Sequence, residues 1–230
     1  HRLAPEMAEV IALSLRVAEL TEGAFDINVK PLIDLYKTTR GNPTPAQWDE
    51  ARSRVGYEKV QFDKDRSTLI FTRERMAIDL GAVAKGYIVD EAAAVLGAHG
   101  IRHFLIDAGG DILCAGGHPD GTPWTVGIQN PRHPESAEVI RTISITDGAV
   151  VTSGNYRRFT MVDGKKRSHI LNPRTGRPAD MENAVTSVTV IAPTCALADA
   201  LATGITVMGR EDGARLAESM EDVDIIVYDE

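Results

Sequence analysis

ADALATG, residues 198–204, follows a strand-like run at 185–192 and a break at 193–194. A proline break of this kind opens a helix, so the sequence predicts that ADALATG is helical. Asp199 and Thr203 are then four residues apart on one helical face, among small residues that let another backbone come close. A carboxylate and a hydroxyl are hard oxygen ligands of the type that Mg²⁺ takes, although such a pair is more often a solvated face or a local hydrogen bond.

The rest of the chain predicts strands joined by hairpins, with helices between some of them. Strands outnumber helices and regular alternation of strand and helix is missing, so we expect an α+β fold with mixed, largely antiparallel sheets and packed helices. Residues 23–36 are expected to be extended with a break at Pro31, and Thr44 and Gln47 to form a capping box. Helices are predicted at 4–20, 45–55, 84–96, 198–204 and 211–220, and strands at 59–62, 67–72, 76–80, 103–108, 111–116, 124–129, 139–145, 149–153, 156–162, 165–171, 185–192 and 224–228.

The charge of the chain limits the partners that it can bind. The 230 residues carry a formal net charge of −8, and Lys and Arg form only short runs. Nucleic acid and an anionic membrane surface are therefore poor candidates, and a phosphate would need backbone amides, one or two cations, or a metal. Cys114 and Cys195 lie in apolar runs without zinc-ligand spacing, which predicts buried thiols.

GAVAKGY, residues 81–87, joins a predicted strand to the start of a predicted helix. Exposed amides, the positive end of the helix dipole and Lys85 would together form a phosphate-binding turn. The alternative is a tight strand–helix turn whose glycines serve packing, and the spacing is not that of a Walker loop. Asp79, just before this turn, either binds a polar group of a ligand or caps the turn.

Three further turns combine glycine with polar or aromatic residues. In GAFD, residues 23–26, Phe25 would stack on a purine or flavin while Asp26 accepts from a ring N–H, or else Phe25 is a core residue and Asp26 a turn residue. AGGDI at 108–112 and TSGNY at 152–156 suit a close approach of the backbone to a ligand. Hairpin formation explains both of them about equally well.

HILNPRTG, residues 169–176, is the densest polar segment of the chain. His169 would transfer a proton or hold a phosphate, and Arg174 would steady an anion. The alternative is a surface hairpin with an incidental histidine.

Taken together, these segments resemble the ApbE-type flavin transferase family. The resemblance extends from about residue 7 to the end, and we expect one domain over 1–230 that lacks the N-terminal strands of the family. Six blocks in the family's order carry it, and together they are far more specific than any one block: GAFD (23–26), IDLGAVAKGYIVD (78–90), GGD (109–111), TSGNY (152–156), HILNPRTG (169–176) and SVTVIAPTCALADALATG (187–204).

The resemblance implies a Mg²⁺-dependent enzyme that cleaves the pyrophosphate of FAD, transfers FMN to a threonine hydroxyl of an acceptor protein and releases AMP. By position, it implies that the backbone oxygen of Ala82 holds the metal together with Asp199 and Thr203. His169 matches the catalytic histidine that the family implies. The residues that would contact FAD are Ala24, Phe25, Asp26, Asp79, Lys85, Ile170, Arg174 and Thr175. Because the family is mostly exported and lipid-anchored in bacteria, we expect a periplasmic location or the outer face of the inner membrane.

Two positions depart from the family pattern, and the activity leaves alternatives open. Asn155 and Asn172 stand where the family often has Asp, which keeps the hydrogen-bonding shape but loses a charge. If Asn172 only holds its turn, Asn172→Asp is expected to be nearly silent; if the acid takes part in the chemistry, the same change should raise FAD cleavage. An FAD pyrophosphatase that gives FMN and AMP, or a flavin-binding lipoprotein with little turnover, are the alternative functions.

Overall fold

The computed structural model describes residues 2–154, 159–162, 165–183 and 185–229, with only the backbone of 159, 160, 162 and 166. The helices are α1 Pro5–Leu20, α2 Lys30–Thr39, α3 Pro45–Ser53, α4 Ala84–Ala98, α5 Cys195–Met208 and α6 Arg210–Glu218. The strands are β1 Val60–Asp63, β2 Thr68–Phe71, β3 Phe104–Asp107, β4 Asp111–Ala115, β5 Trp124–Gln129, β6 Val139–Ile145, β7 Gly148–Gly154, β8 Phe159–Val162, β9 Lys165–Ser168, β10 Val185–Ala192 and β11 Asp224–Asp229.

A five-stranded sheet in the order β11-β10-β7-β4-β3 forms the centre of the fold, and every pair of neighbouring strands in it is antiparallel. Three two-stranded ribbons, β1–β2, β5–β6 and β8–β9, lie outside this sheet. The β3–β4 hairpin turns through Gly109 and Gly110, whose φ angles of 69° and 95° suit glycine. The predicted α+β class with largely antiparallel sheets is confirmed.

Helix α5 is the most buried helix of the structure and contacts β4, β7 and β10 on one side and α1, α4 and α6 on the others. A helix surrounded in this way buries residues on every side, and small residues let its neighbours approach closely. Ala198, Ala200 and Ala202 are each 0% exposed, as are Leu201 and Ile205. The alanine-rich composition that first marked this segment therefore reflects close packing on all sides.

Two sequence predictions on the first third of the chain are wrong. Residues 76–80 form no strand; the Asn28 side chain donates to the carbonyl of Ala77 (2.9 Å), and the Asp79 amide donates to Ile27 (2.7 Å). The apolar run there hydrogen-bonds to the segment after GAFD instead of pairing with a strand. The expected extended segment at 23–36 is wrong as well: from Lys30 onward it is helix α2, and Pro31 lies in the first turn of that helix, where its missing N–H costs no hydrogen bond.

Most other elements confirm the sequence predictions within a few residues. The capping box of α3 is present in full, with Thr44 accepting from the Gln47 amide and Gln47 accepting from Thr44. Helix α3 ends at Ser53, two residues before the expected end near Val55. The expected hairpin turn at 163–164 lies outside the described residues, although the flanking strands β8 and β9 pair as predicted.

Helices α4 and α5 approach each other closely at Gly86. A Cβ built on Gly86 would lie 2.4 Å from the carbonyl oxygen of Cys195 and 2.7 Å from Cα of Ala196. Because these are backbone atoms of another helix, no side-chain rotation can relieve the clash. Gly86 is therefore the residue that allows α4 and α5 to touch.

We predict that Gly86→Ala lowers the free energy of unfolding by roughly 1–3 kcal/mol, because the two helices must separate to admit the methyl group. Gly97→Ala on the same helix is the matched control, since its added Cβ meets nothing within 4 Å. That control should be neutral or stabilising by up to about 1 kcal/mol, because alanine favours a helix interior. Denaturant unfolding of both variants measures the difference, and equal effects would contradict the packing role of Gly86.

Candidate active site

Asp199 lies on α5, facing the start of α4. It is 6% exposed, and its Oδ2 accepts a hydrogen bond from the backbone amide of Gly86 at 3.2 Å. Thr203 follows one helical turn later, and its Oγ1 lies 3.5 Å from Oγ of Ser153 on β7. Asp199 and Thr203 both lie on α5, so the predicted helical placement of the pair is confirmed. The turn that carries Ala82 leads directly into α4, which contacts α5.

Lys85 forms an ion pair with a carboxylate that the sequence analysis did not include among the site residues. Its Nζ lies 2.7 Å from Oδ1 of Asp111, the first residue of β4. The Lys85 side chain is 48% exposed, whereas that of Asp111 is 1% exposed. Asp111 belongs to the GGD block, so its position was visible in the sequence. The sequence did not show that Lys85 is its partner, because the pair joins a residue on a helix to a residue on a strand.

The charges around Asp199 favour a cation. Burial raises the pKa of Asp199 to about 7, with the nearby negative charge of Asp111 adding to the effect. The hydrogen bond from Gly86 and the charge of Lys85 oppose this rise. An ionised carboxylate is costly to bury when hydrogen bonds and opposite charges offset so little of its lost hydration. A cation beside Asp199 would reduce that cost.

The donor set around Asp199 fits Mg²⁺ better than a softer metal. No group of three or more His, Cys, Asp or Glu side chains suited to a metal exists among the described residues. Mg²⁺ commonly takes one or two carboxylates and completes its shell with water and substrate phosphates, so it needs no such group. Asp199, the Thr203 hydroxyl and a backbone oxygen of the adjoining turn are donors of the required hard type.

The GAFD segment packs against another side of helix α5. Phe25 is 2% exposed, and its Cβ would be 3.1 Å from a Cβ added at Gly204 of α5. The ring therefore packs in the core, as the alternative interpretation of this residue expected, and its stacking on a flavin stays a prediction. Ala24 is also buried, in a cluster with Ile170 and Ala179, so GAFD contacts the HILNPRTG segment.

Asp26 is a second buried acid. It is 5% exposed, and its Oδ1 accepts from the Asn28 amide at 2.7 Å. Burial raises the pKa of Asp26 to about 7; the charge of Glu58 adds to this effect, and the amides of Asn28 and Tyr57 oppose it. Near neutral pH this carboxyl group can therefore both donate and accept hydrogen bonds.

Asp26 borders a cleft of about 240 Å³. The cleft is formed by the end of GAFD, the turn after α3 and the HILNPRTG turn. Cationic side chains from three different segments reach it. The lining residues are Glu22, Gly23, Asp26, Arg52, Val55, Gly56, Tyr57, Glu58, Lys59, Pro173 and Arg174.

The HILNPRTG turn is held by Asn172. The Asn172 amide donates to the Arg177 carbonyl (2.8 Å), and its Oδ1 accepts from the Arg174 amide (2.9 Å). Its Nδ2 donates to Oε2 of Glu182 at 2.5 Å. Asn172 therefore has the turn-holding geometry that the sequence analysis proposed, with one partner, Glu182, that was not expected.

The remaining predicted residues occupy less decisive positions. His169 is exposed, while Ile170 is 8% exposed, and its carbonyl accepts from Ala179. Thr175 is exposed and accepts from the Arg177 amide. Asp79 accepts from the Gly81 amide at 2.9 Å, which is the capping geometry. A contact of any of these residues with FAD stays a prediction, and Asn155 lies outside the described residues.

The structure thus brings the predicted residues into two groups around helix α5. Lys85, Asp199 and Thr203 form the first, and the GAFD and HILNPRTG segments around the cleft form the second. Gly204 joins them, because it follows Thr203 directly and packs against Phe25. An α+β protein with a carboxylate–hydroxyl pair on a buried helix, beside a lysine at a second helix start, is suited to binding a metal and a phosphate.

Comparison with known proteins places the chain in a family. The sequence profile of the ApbE family matches residues 1–227. The chain is 37% identical over 213 residues to the FAD:protein FMN transferase of Salmonella typhimurium, covering 89% of this chain and 60% of that protein. It is 37% identical over 215 residues to the Vibrio cholerae protein of the same name, covering 91% and 63%. The chain belongs to the ApbE family.

Solved structures agree with this assignment. The ApbE protein of Thermotoga maritima superimposes with a TM-score of 0.85 at 34% identity, over 98% of this chain and 74% of that one. The flavin transferase ApbE of Vibrio cholerae gives 0.84 at 34%, over 98% and 72%. The chain spans about 60% of the length of the Salmonella typhimurium relative. Among the described residues, no helix has the length and apolarity needed to span a membrane.

We predict that ionisation of Asp199 destabilises the metal-free protein. The pKa in the folded state, about 7, lies above the ordinary value of 3.8, so the folded chain holds this proton more tightly between these pH values. The contribution of Asp199 to stability therefore falls as pH rises through this window, by at most about 1.4 kcal/mol per pH unit. In EDTA, the unfolding free energy of Asp199→Asn minus that of the wild type should grow from pH 4 to pH 7. A constant difference would contradict the assignment.

We predict that Asn172→Asp is not silent, contrary to the first expectation, because Glu182 faces the amide nitrogen. The new carboxylate would lose that hydrogen bond and repel Glu182, lowering stability by up to about 1 kcal/mol at this exposed site. Asn172→Asp combined with Glu182→Gln should recover the loss, since glutamine can donate to the aspartate. Thermal unfolding of both variants tests the turn, and a tenfold rise in AMP release from FAD in Asn172→Asp would favour a chemical role instead.

Proposed function

We propose that the protein catalyses Mg²⁺-dependent transfer of the FMN half of FAD to a threonine hydroxyl of an acceptor protein, with release of AMP. The observation that carries the proposal is the juxtaposition of Asp199 and Thr203 on α5 with Lys85 at the start of α4. The ApbE family membership and relatives named FAD:protein FMN transferase support it. Phosphoryl transfer depends mainly on positioning and charge neutralisation, which this arrangement suits.

Mg²⁺ would be held by Asp199, the Thr203 hydroxyl and the backbone oxygen of Ala82. When bound, the metal would offset the negative charge that develops on the pyrophosphate oxygens. Asp199 must be ionised to bind it, so metal and proton compete for the same oxygens. The hydrogen bond from Gly86 fixes one of those oxygens and leaves the other to a ligand.

Lys85 would bind the pyrophosphate. Its ammonium is half exposed and lies at the first turn of α4, where the helix dipole also favours an anion. A lysine suits this position because its compact charge can approach a phosphate oxygen in a crowded turn.

The nucleotide would extend from this point along α5 to the cleft beside GAFD. That cleft, at about 240 Å³, is smaller than the usual pocket for a drug-sized ligand, so it would hold one part of FAD and not the whole. Asp26 would exchange hydrogen bonds with a ring edge there, and Arg174 would face a phosphate. Ala24 and Ile170 would support these contacts from the buried cluster beneath.

His169 would take the proton from the acceptor hydroxyl. An imidazole has a pKa near neutrality, which suits a general base, and the exposed position of His169 leaves it accessible to a second protein. The expected location of the protein, in the periplasm or lipid-anchored at the outer face of the inner membrane, remains a proposal that rests on the family resemblance.

One assay separates the proposed transferase from its two alternatives. The protein is incubated with FAD and Mg²⁺, with and without a threonine-bearing acceptor, and AMP and acceptor-bound flavin are measured. AMP release only with the acceptor supports the transferase, and AMP release without it indicates the pyrophosphatase. Tight FAD binding without AMP indicates the flavin-binding protein. Asp199→Asn and Thr203→Val should abolish the Mg²⁺-dependent release, while Asp224→Asn, at the exposed start of β11, should not change it.

We predict that His169→Ala slows FMN transfer by roughly 10²- to 10⁴-fold, because a general base contributes a factor of this size. FAD affinity should change much less than the rate, since the imidazole acts on the acceptor proton. The dissociation constant of FAD and the transfer rate as a function of pH are the two measurements. An unchanged rate together with a lower melting temperature would instead assign His169 a structural role.

A further inference from the structure

Asp111 is a buried acid that the proposed mechanism does not use. It is 1% exposed at the start of β4, and its backbone is fixed because β4 pairs with β7, with Asp111 opposite Val151. A buried carboxylate is costly even when it is paired, and replacing an ion pair by apolar residues often costs nothing. General stability is therefore a weak reason for an acid at this position.

The geometry of the pair shows a more specific consequence. Lys85 has a long, half-exposed side chain. Without a partner it would sample many rotamers, and binding a ligand would then cost the entropy of fixing one of them. Its Nζ lies 2.7 Å from Oδ1 of Asp111, so one of the three ammonium protons is directed at a fixed point on the sheet. The other two protons can then face a ligand.

Asp199 makes this anchoring necessary. It carries a competing carboxylate, since both Lys85 and Asp111 act on it electrostatically. Without Asp111, the ammonium would be drawn to Asp199 and would occupy the oxygens that a metal requires. Asp111 therefore keeps the Lys85 ammonium away from the Asp199 carboxylate, so that the ammonium can bind phosphate and the carboxylate can bind the cation.

We propose that Asp111 is a positioning residue that fixes the Lys85 ammonium toward the pyrophosphate of FAD. This inference rests on the proposed function, since it assumes that Lys85 binds the pyrophosphate. It adds a residue to which neither the family resemblance nor the comparisons gave a role.

A double-mutant cycle with two ligands tests the proposal. Dissociation constants of FAD and of riboflavin are measured by flavin fluorescence, in EDTA so that no turnover occurs, for the wild type, Asp111→Asn, Lys85→Met and the double variant. Riboflavin lacks the phosphates and reports on the flavin contacts alone. Asp224→Asn is the control for the loss of one negative charge, because Asp224 is an exposed carboxylate of the same sheet.

Asp111→Asn and Lys85→Met are each expected to weaken FAD binding about tenfold, because each disturbs one charge-assisted hydrogen bond. Riboflavin binding should change less than about twofold, and the double variant should bind FAD no more weakly than Lys85→Met alone. Lys85→Met should lower the melting temperature by leaving Asp111 buried beside Asp199, and the double variant should recover it.

Three outcomes would overturn the proposal, and they differ from a failure of the proposed function. FAD affinity unchanged in Asp111→Asn, while Lys85→Met weakens it, would remove the positioning role and leave the proposed function intact. An added loss of about tenfold from Asp111→Asn in the Lys85→Met background would show that Asp111 acts independently of the lysine. Unchanged FAD affinity in Lys85→Met would remove the phosphate role of Lys85 and with it the positioning role of Asp111, whereas the proposed transfer itself is decided by AMP release with and without the acceptor.

Discussion

The contact between α4 and α5 determines the arrangement of the site, because each helix accepts hydrogen bonds from the other through a carboxylate. Asp90 of α4 accepts from the amides of Cys195 (2.7 Å) and Ala196 (2.9 Å), the first residues of α5. Asp199 of α5 accepts in return from Gly86 of α4 (3.2 Å). These amides have no partner within their own helices, so the exchange satisfies both helix starts at once.

This exchange explains why the most buried helix of the fold also carries site residues. Burial raises the pKa of Asp90, and the amides of Cys195 and Ala196 oppose the rise. The ionised form of the acid that caps α5 is therefore stabilised by the helix that it caps. Thr194 adds a conventional cap by accepting from the Leu197 amide. With its start fixed in this way, α5 presents Asp199 and Thr203 one turn apart at a defined height above the sheet.

Sequence reasoning was most successful where local chemistry decides the structure. The capping box at Thr44 and the helix of ADALATG follow from short patterns, and both are confirmed. It failed at 76–80, where an apolar run accepts a hydrogen bond from the Asn28 side chain instead of pairing with a strand. It also missed Asp111, since the partner of an ion pair between a helix and a strand is fixed by sheet order, and no local pattern contains that order.

The balance of charge around α5 gives a physical reason why the proposed reaction would need a divalent cation. Among the described residues, Lys85 is the cation that pairs with Asp111 and acts on Asp199. A pyrophosphate brought to this point adds further negative charge in a partly buried environment, where repulsion is weakly screened. A divalent cation held by Asp199 would make the net charge of these groups positive and would let Lys85 act on the phosphate. By contrast, the cleft beside Asp26 is lined by three cationic side chains, Arg52, Lys59 and Arg174, which face the carboxyl groups of Glu22, Asp26 and Glu58.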